Sequence, residues 1–146
     1  YWPEVRGRDG CRTPMVWDST SPNADFSAAE PWLPVKPPQA ARNVARQEGD
    51  PDSVLSHYRA VLAFRKARPE LLTGDMTFLD LPAPLLGFRR GGDAPLTCVF
   101  NLSPERHEVK VPDGVSPVGP RQDAALDGTT LVLGPNGYVY LEGWAG

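Results

Sequence analysis

Cysteine and histidine are nearly missing, with two of each in 146 residues. Cys11 and Cys98 stand at no metal-ligand spacing. His57 and His107 have no neighbouring Cys, second His or carboxylate at such a spacing, so no metal centre is expected. The two cysteines could pair, but two reduced thiols are the preferred reading. An excess of positive charge is also missing. The net charge is −3, so nothing argues for a nucleic-acid partner, and no cationic amphipathic stretch argues for a membrane surface. No apolar run approaches the roughly 20 residues of a membrane span. No signal peptide is visible, and a cytoplasmic location is expected. The opening Tyr1-Trp2-Pro3-Glu4 has no initiator Met, so this start need not be the natural one. There is no glycine-rich phosphate loop, and Ser53 and Ser56 lack a nucleophile-elbow setting. No cofactor is expected.

Proline and glycine are plentiful, at 17 and 14 residues, which means many turns and short elements. Residues 1–49 read as loop. Pro22, Pro31, Pro34, Pro37 and Pro38 forbid long helices there. Tyr1, Trp2, Trp17, Phe26 and Trp32 argue against disorder, because disordered segments lack aromatics. The segment reads as an ordered excursion laid over something else. Asp50-Pro51-Asp52-Ser53 starts a helix, with Asp50 as its cap. Val54, Leu55, Tyr58, Val61 and Leu62 then share one helical face, and Pro69 ends the run. A helix from about Asp52 to Ala67 is roughly 24 Å long.

From Gly74 the apolar period changes to two. Short strands are predicted at 76–81, 85–90, 96–101, 108–111, 131–133 and 138–142, separated by turns such as Gly91-Gly92-Asp93 and Gly134-Pro135-Asn136-Gly137. The stretch 115–128 reads as one or two poorly marked strands. The whole is an α+β chain: long ordered loop, one helix, then an antiparallel β-sandwich or barrel.

The most informative run is Gly7-Arg8-Asp9-Gly10-Cys11-Arg12-Thr13-Pro14-Met15-Val16-Trp17-Asp18. As a loop it carries a heavy load of recognition chemistry, and loops on rigid scaffolds are where binding and catalysis concentrate. The plain alternative is a surface loop with paired charges and Trp17 tucked against a core. The run from Arg8 to Asp18 resembles the R-D-x-x-R-T-P-M-Q-W segment of α-glucosidases in the α-amylase family (glycoside hydrolase family 13). Asn23-Ala24-Asp25-Phe26-Ser27 is similar to that family's N-A-G-F-S, and Pro31-Trp32-Leu33-Pro34-Val35 to its P-W-L-P-V. Asn43-Val44 with Gln47, then Asp50-Pro51-Asp52-Ser53-Val54-Leu55, resemble N-V-x-x-Q and D-P-x-S-L-L. Val16 stands where the family usually has Gln, and Asp25 where it usually has Gly. The resemblance implies that residues 1–72 are the tail of a (β/α)8 catalytic barrel, comprising a rim loop and the last helix. It further implies that residues 73–146 are a C-terminal antiparallel β-sandwich domain, with the catalytic barrel itself missing from this chain.

Glycoside hydrolysis needs two carboxyl groups flanking the scissile bond. The resemblance puts the family's three catalytic carboxylates upstream of this chain, so no catalytic residue is expected here. Asp50 and Asp52 read as helix-start residues, and Asp93, Asp113 and Asp127 as turn formers. The resemblance implies that Arg12 lines the mouth of the sugar pocket, and Asp9 is its expected orienting partner within the segment. The alternative for Arg12 is a structural pairing with Asp9 or with backbone. Trp17 is read as a buried anchor in preference to a sugar platform. The implied substrate of the full-length protein is an oligosaccharide or disaccharide with terminal α-linked glucose, cleaved with retention. A trehalose synthase or sucrose isomerase carries the same loop motif and is the near alternative. A non-catalytic carbohydrate-binding β module, cued by Tyr138, Tyr140 and Trp144, is the alternative from another class. An apolar surface left uncovered in the first half, including Trp17, Trp32 and the helix stripe, is expected if a barrel belongs there.

Overall fold

The computed structural model of the protein describes residues 7–144. Tyr1 and Trp2, two of the aromatics in the opening segment, lie outside the described residues. The chain forms two compact units, residues 1–58 and 59–146, and the break falls inside a helix.

In the first unit the prolines keep regular structure short. Two 3₁₀ turns, Asp9–Cys11 and Pro22–Asp25, precede two brief helices, α1 (Pro37–Ala40) and α2 (Val44–Glu48). Main-chain bonds order the loop between them. Trp17 N–H donates to Ala24 O at 3.1 Å, while Val44 N–H reaches Val16 O at 3.0 Å and Ala45 N–H reaches Trp17 O at 2.9 Å. Asn43, buried, is the hub. Its amide donates to Ala40 O at 2.9 Å and Ser19 Oγ at 3.0 Å, and its oxygen caps α2 by accepting from Arg46 N–H at 2.8 Å. Two donors and one acceptor are thus satisfied by a single buried side chain, which is how an ordered loop avoids unpaired polar groups.

The helix α3 runs Val54–Ala67. Asp50 was the expected cap, but Ser53 takes that role: its Oγ accepts from Ser56 N–H at 3.2 Å and donates to Gln47 O at 2.7 Å. Asp50 instead closes a turn one step earlier, its carboxylate accepting from Asp52 N–H at 2.9 Å. Pro51 fits that turn, and the helix begins after it. None of the residues of α3 is buried. Val54, Tyr58 and Leu62 of the apolar stripe are exposed. Pro69 ends α3 as expected, and it also opens a further helix, α4 (Pro69–Thr73), by occupying its first position.

The second unit is an antiparallel sheet. Its strands are β1 (Met76–Phe78), β2 (Leu85–Arg90), β3 (Leu96–Asn101), β4 (His107–Lys110), β5 (Ser116–Asp127) and β6 (Thr130–Glu142). Their order is β1-β2-β3-β6-β4, with β5 also on β6. One edge of β6 is shared in tandem: Thr130–Leu133 pairs with β4 and Tyr138–Leu141 with β3. Its other edge carries β5 along both halves, with register shifts around Gln122. The stretch 131–142 is therefore one strand, not two separated by a Gly134–Gly137 turn. That tetrapeptide is the corner at which β6 passes from one neighbour to the other. Asn136 sits there at φ 54°, and its N–H donates to Ser103 O at 2.9 Å. A Cβ at Gly134 would overlap the Asp123 carboxylate of β5, so only glycine lets β5 follow the corner. The uncertain stretch 115–128 is one long strand whose bulges blur its period.

Side-chain alternation gives the curled sheet two apolar layers. Leu85, Val99, Val111, Val115, Leu131, Leu133, Val139 and Leu141 form one. Leu96, Cys98, Tyr138 and Tyr140 form the other, covered by Val61 and Phe64 of α3 and Leu71 of α4. Burying each large aliphatic side chain contributes about 1.5–3 kcal/mol. The Phe64 and Tyr140 rings meet at 4.9 Å, and Arg68 lies over Phe64 while its guanidinium bonds Glu142. Both cysteines are free. Burial pushes the Cys98 thiol up to about 12, which makes it a packing group.

Glu70 is buried and joins α4 to the β2–β3 turn. Its carboxylate accepts from Ala94 N–H at 3.1 Å and faces Arg68 Nε at 3.6 Å, and its carbonyl accepts from Arg90 Nε at 3.0 Å. Its own backbone N–H first, then Ala94 N–H and the Arg68 charge, hold the carboxyl below its ordinary value of 4.5, against the opposing cost of burial. A lowered folded-state value stabilises the fold above the ordinary value, and the contribution is lost as pH falls through the folded one. The stability gap between the native chain and Glu70→Gln is therefore expected to narrow between pH 7 and pH 3. Urea midpoints at the two pH values measure it, and a constant gap would contradict the linkage.

Candidate functional site

The loop bearing Arg12 is fixed from its downstream side. Arg12 follows the 3₁₀ turn, and its N–H donates to Asp9 O at 3.1 Å. Thr13 Oγ1 accepts from Gln39 Nε2 of α1 at 2.6 Å. Pro14 and Val16 are buried, whereas Met15 and Trp17 are exposed. This alternation marks an extended segment pinned by its small residues. Trp17 was expected to be the buried anchor; it is 48% exposed, and Val16 at 5% does the anchoring. The side chains of Arg12 and Asp9 make no ion pair or hydrogen bond among the described residues, so the structural Arg12–Asp9 pairing is absent and only the main-chain link remains. Arg12 is exposed, and its guanidinium can give its donors to a ligand or to a carboxylate beyond the described residues.

Behind this loop Asn23, Ala24 and Asp25 adopt φ of 50°, 58° and 55°. Left-handed backbone costs an L-residue roughly 1–2 kcal/mol, and asparagine and aspartate bear it best. Ala24 is held there because it is buried and its carbonyl accepts from both Trp17 and Asp18 N–H. The geometry explains why a glycine suits position 25. Asp25→Gly is expected to raise stability by up to about 1 kcal/mol, the released strain less the extra freedom of the unfolded chain. Thermal denaturation checks it, and a lowered midpoint would show that the aspartate side chain has a role of its own.

A groove of about 460 Å³ lies beside the left-handed segment, bounded by Val16, Ser19, Asn23, Glu30, Trp32 and Val35. Trp32 is 77% exposed. Sequence reasoning placed no site here; the only signal was an aromatic between two prolines. It also missed Asn43 as a hub, although an asparagine directly before V-x-x-Q is a readable helix cap. No cluster of three or more His, Cys, Asp or Glu able to hold a metal occurs among the described residues. No helix among the described residues is long and apolar enough to cross a membrane.

Residues 2–74 match the alpha-amylase catalytic domain. The chain belongs to the alpha-amylase family. Within that family it is 51% identical over 113 residues to a probable alpha-glucosidase of Rhizobium meliloti (strain 1021), covering 77% of this chain and 20% of the relative. It is 39% identical over 104 residues to a probable oligo-1,6-glucosidase of Bacillus subtilis (strain 168), covering 70% of this chain and 18% of the relative. An alpha-glucosyl transfer enzyme superposes on 98% of this chain and 27% of its own at a TM-score of 0.80 and 37% identity. The trehalulose synthase of Pseudomonas mesoacidophila MX-45 does so over 93% and 26%, at 0.74 and 33%. This alpha-amylase-family chain thus spans about a fifth of the curated relatives it matches.

Proposed function

We propose that this chain is the C-terminal part of a cytoplasmic, retaining α-glucosidase that removes terminal α-linked glucose from short oligosaccharides. Residues 1–72 are the tail of its catalytic barrel, and residues 73–146 its C-terminal β domain. One observation carries the reading. The catalytic-domain match stops at residue 74, just ahead of β1, while the matched part leaves Trp17, Trp32, Val54, Tyr58 and Leu62 exposed. A surface of that kind fits a segment that lies on the rest of a barrel. Barrel active sites gather at the ends of the strands, in the loops that follow them, and the Arg12 loop is such a segment in this reading. Its role is to grip sugar hydroxyls or orient an acid, while carboxylates outside this chain form and hydrolyse the glycosyl intermediate.

The likeness to an alpha-glucosyl transfer enzyme and to a trehalulose synthase favours a second reading, in which the glucosyl group passes to another sugar. The carbohydrate-module reading loses its cue: Tyr138 and Tyr140 are each 8% exposed, and Trp144 packs on the first apolar layer. The full-length protein, incubated separately with maltose, isomaltose and sucrose, is expected to release glucose. A rearranged disaccharide in its place would reject hydrolysis for transfer. The 146-residue chain alone is expected to release none, and glucose from it would overturn the division of roles.

A further inference from the structure

We infer that Gln39 is a positioning residue for Arg12, holding it through Thr13 so that the guanidinium meets the sugar at a fixed angle. This role presupposes that Arg12 grips the substrate, and it adds the side chain outside the motif that makes the grip firm. The loop is tied to the short helices behind it. From the downstream end, Ala45 N–H bonds Trp17 O at 2.9 Å, Val44 N–H bonds Val16 O at 3.0 Å, and Gln39 Nε2 bonds Thr13 Oγ1 at 2.6 Å. Among the described residues the Gln39 bond is the last of these tethers before Arg12. The turn ahead is closed by its own main chain, Cys11 N–H to Arg8 O and Arg12 N–H to Asp9 O, both at 3.1 Å. Such a turn holds its shape without holding its place.

Thr13 precedes a proline, so its backbone is confined to extended geometry and residue 14 has no N–H with which to anchor the chain. The buried Pro14 ring packs without direction, whereas the Thr13 bond is directional. Arg12 stands between turn and tether at φ −111° and ψ 2°, close to the sparsely allowed bridge region. A residue there keeps its angles only while its surroundings fix them. Gln39 is itself oriented. Lys36 N–H, which only donates, meets Oε1 at 2.9 Å and closes the first turn of α1, so Nε2 faces Thr13. Pro37 and Pro38 stiffen that turn. The cap asks only for an acceptor, and glutamate would serve it as well. The amide also donates, which leaves the Thr13 proton for Gly10 O, 3.5 Å away in the turn ahead of Arg12. One side chain thus bears on both sides of Arg12.

The test uses the full-length protein and follows consumption of maltose or isomaltose. Thr13→Val removes the accepting oxygen at nearly constant shape and keeps the α1 cap, whereas Gln39→Met removes both. Each is expected to lower kcat about tenfold with KM changed by no more than about threefold, because the sugar still binds but meets a misaligned guanidinium. The two together should cost no more than either alone. Thr13→Ser, which restores the oxygen, should recover most of the loss. In an Arg12→Ala background neither substitution should lower kcat/KM again, since nothing is left to position. A helix cap with no link to the pocket would leave kcat native in both variants and lower the melting temperature in Gln39→Met alone, and that record would overturn the role. A further loss from Thr13→Val in the Arg12→Ala background would overturn it too. Native kcat in Thr13→Val beside an impaired Arg12→Ala removes the positioning role and leaves the pocket reading standing. Native kinetics in Arg12→Ala removes the pocket reading and the positioning role with it.

Discussion

Replacing Asn101 with alanine is expected to destabilise the sheet unit by about 2–4 kcal/mol, measured as a shift in the urea midpoint. Asn101 is 2% exposed. Its amide donates to Glu105 O at 2.6 Å and Gly134 O at 2.8 Å, and its oxygen accepts from Ser103 N–H at 3.1 Å and Ser103 Oγ at 2.9 Å. One side chain thereby holds the β3–β4 connection and the corner of β6 together. Alanine would leave the Gly134 carbonyl buried and unpaired at a bend with no regular ladder partner. Each such group costs about 1–3 kcal/mol. Ser103→Ala removes one of these links, together with the Oγ contacts to Glu105 N–H at 3.2 Å and His107 Nε2 at 3.0 Å, and should cost about 1–2 kcal/mol. A loss below that for Asn101→Ala would mean that water enters the corner and the bend needs no such clasp.

In the full-length protein, Arg12→Ala is expected to lower kcat/KM on maltose or isomaltose about 100-fold, or about 2.7 kcal/mol of transition-state stabilisation. The melting temperature should hardly move, because Arg12 is exposed and its side chain has no partner among the described residues. Arg12→Lys should recover little, since one ammonium cannot reproduce the planar fork of donors. Asp9→Asn should leave the kinetics near native, because only the Asp9 carbonyl, kept in the variant, is bonded to Arg12. Unchanged kinetics for Arg12→Ala would remove this residue from the sugar pocket.

The elements legible from the sequence were those governed by local rules. Strands 85–90 and 96–101 emerged residue for residue, because alternation and flanking Pro and Gly mark them. The C-terminal end of α3 at Ala67 was equally plain before Pro69. What failed depended on partners distant in sequence. Gly134-Pro135-Asn136-Gly137 has the composition of a turn, and only β5 running alongside keeps it within a strand. Trp17 has the character of an anchor, but Val44 and Ala45 bond to its own stretch of backbone and set Val16 inward in its place. The Arg12 loop was visible through its motif. The Trp32 groove was not, since it exists only where Val16, Asn23 and Val35 meet.

The position of β6 in both the sheet and the chain bears on how the protein is made. Synthesis proceeds from the N-terminus, so β3, β4 and β5 leave the ribosome before the strand that all three pair with. Until residues 130–142 emerge, Leu96, Val99 and Val111 have no completed layer, and three strands wait with open edges. Any translational pause that keeps residues 130–142 inside the ribosome should therefore recruit chaperones or produce aggregates, whereas emergence of β6 removes the open edges.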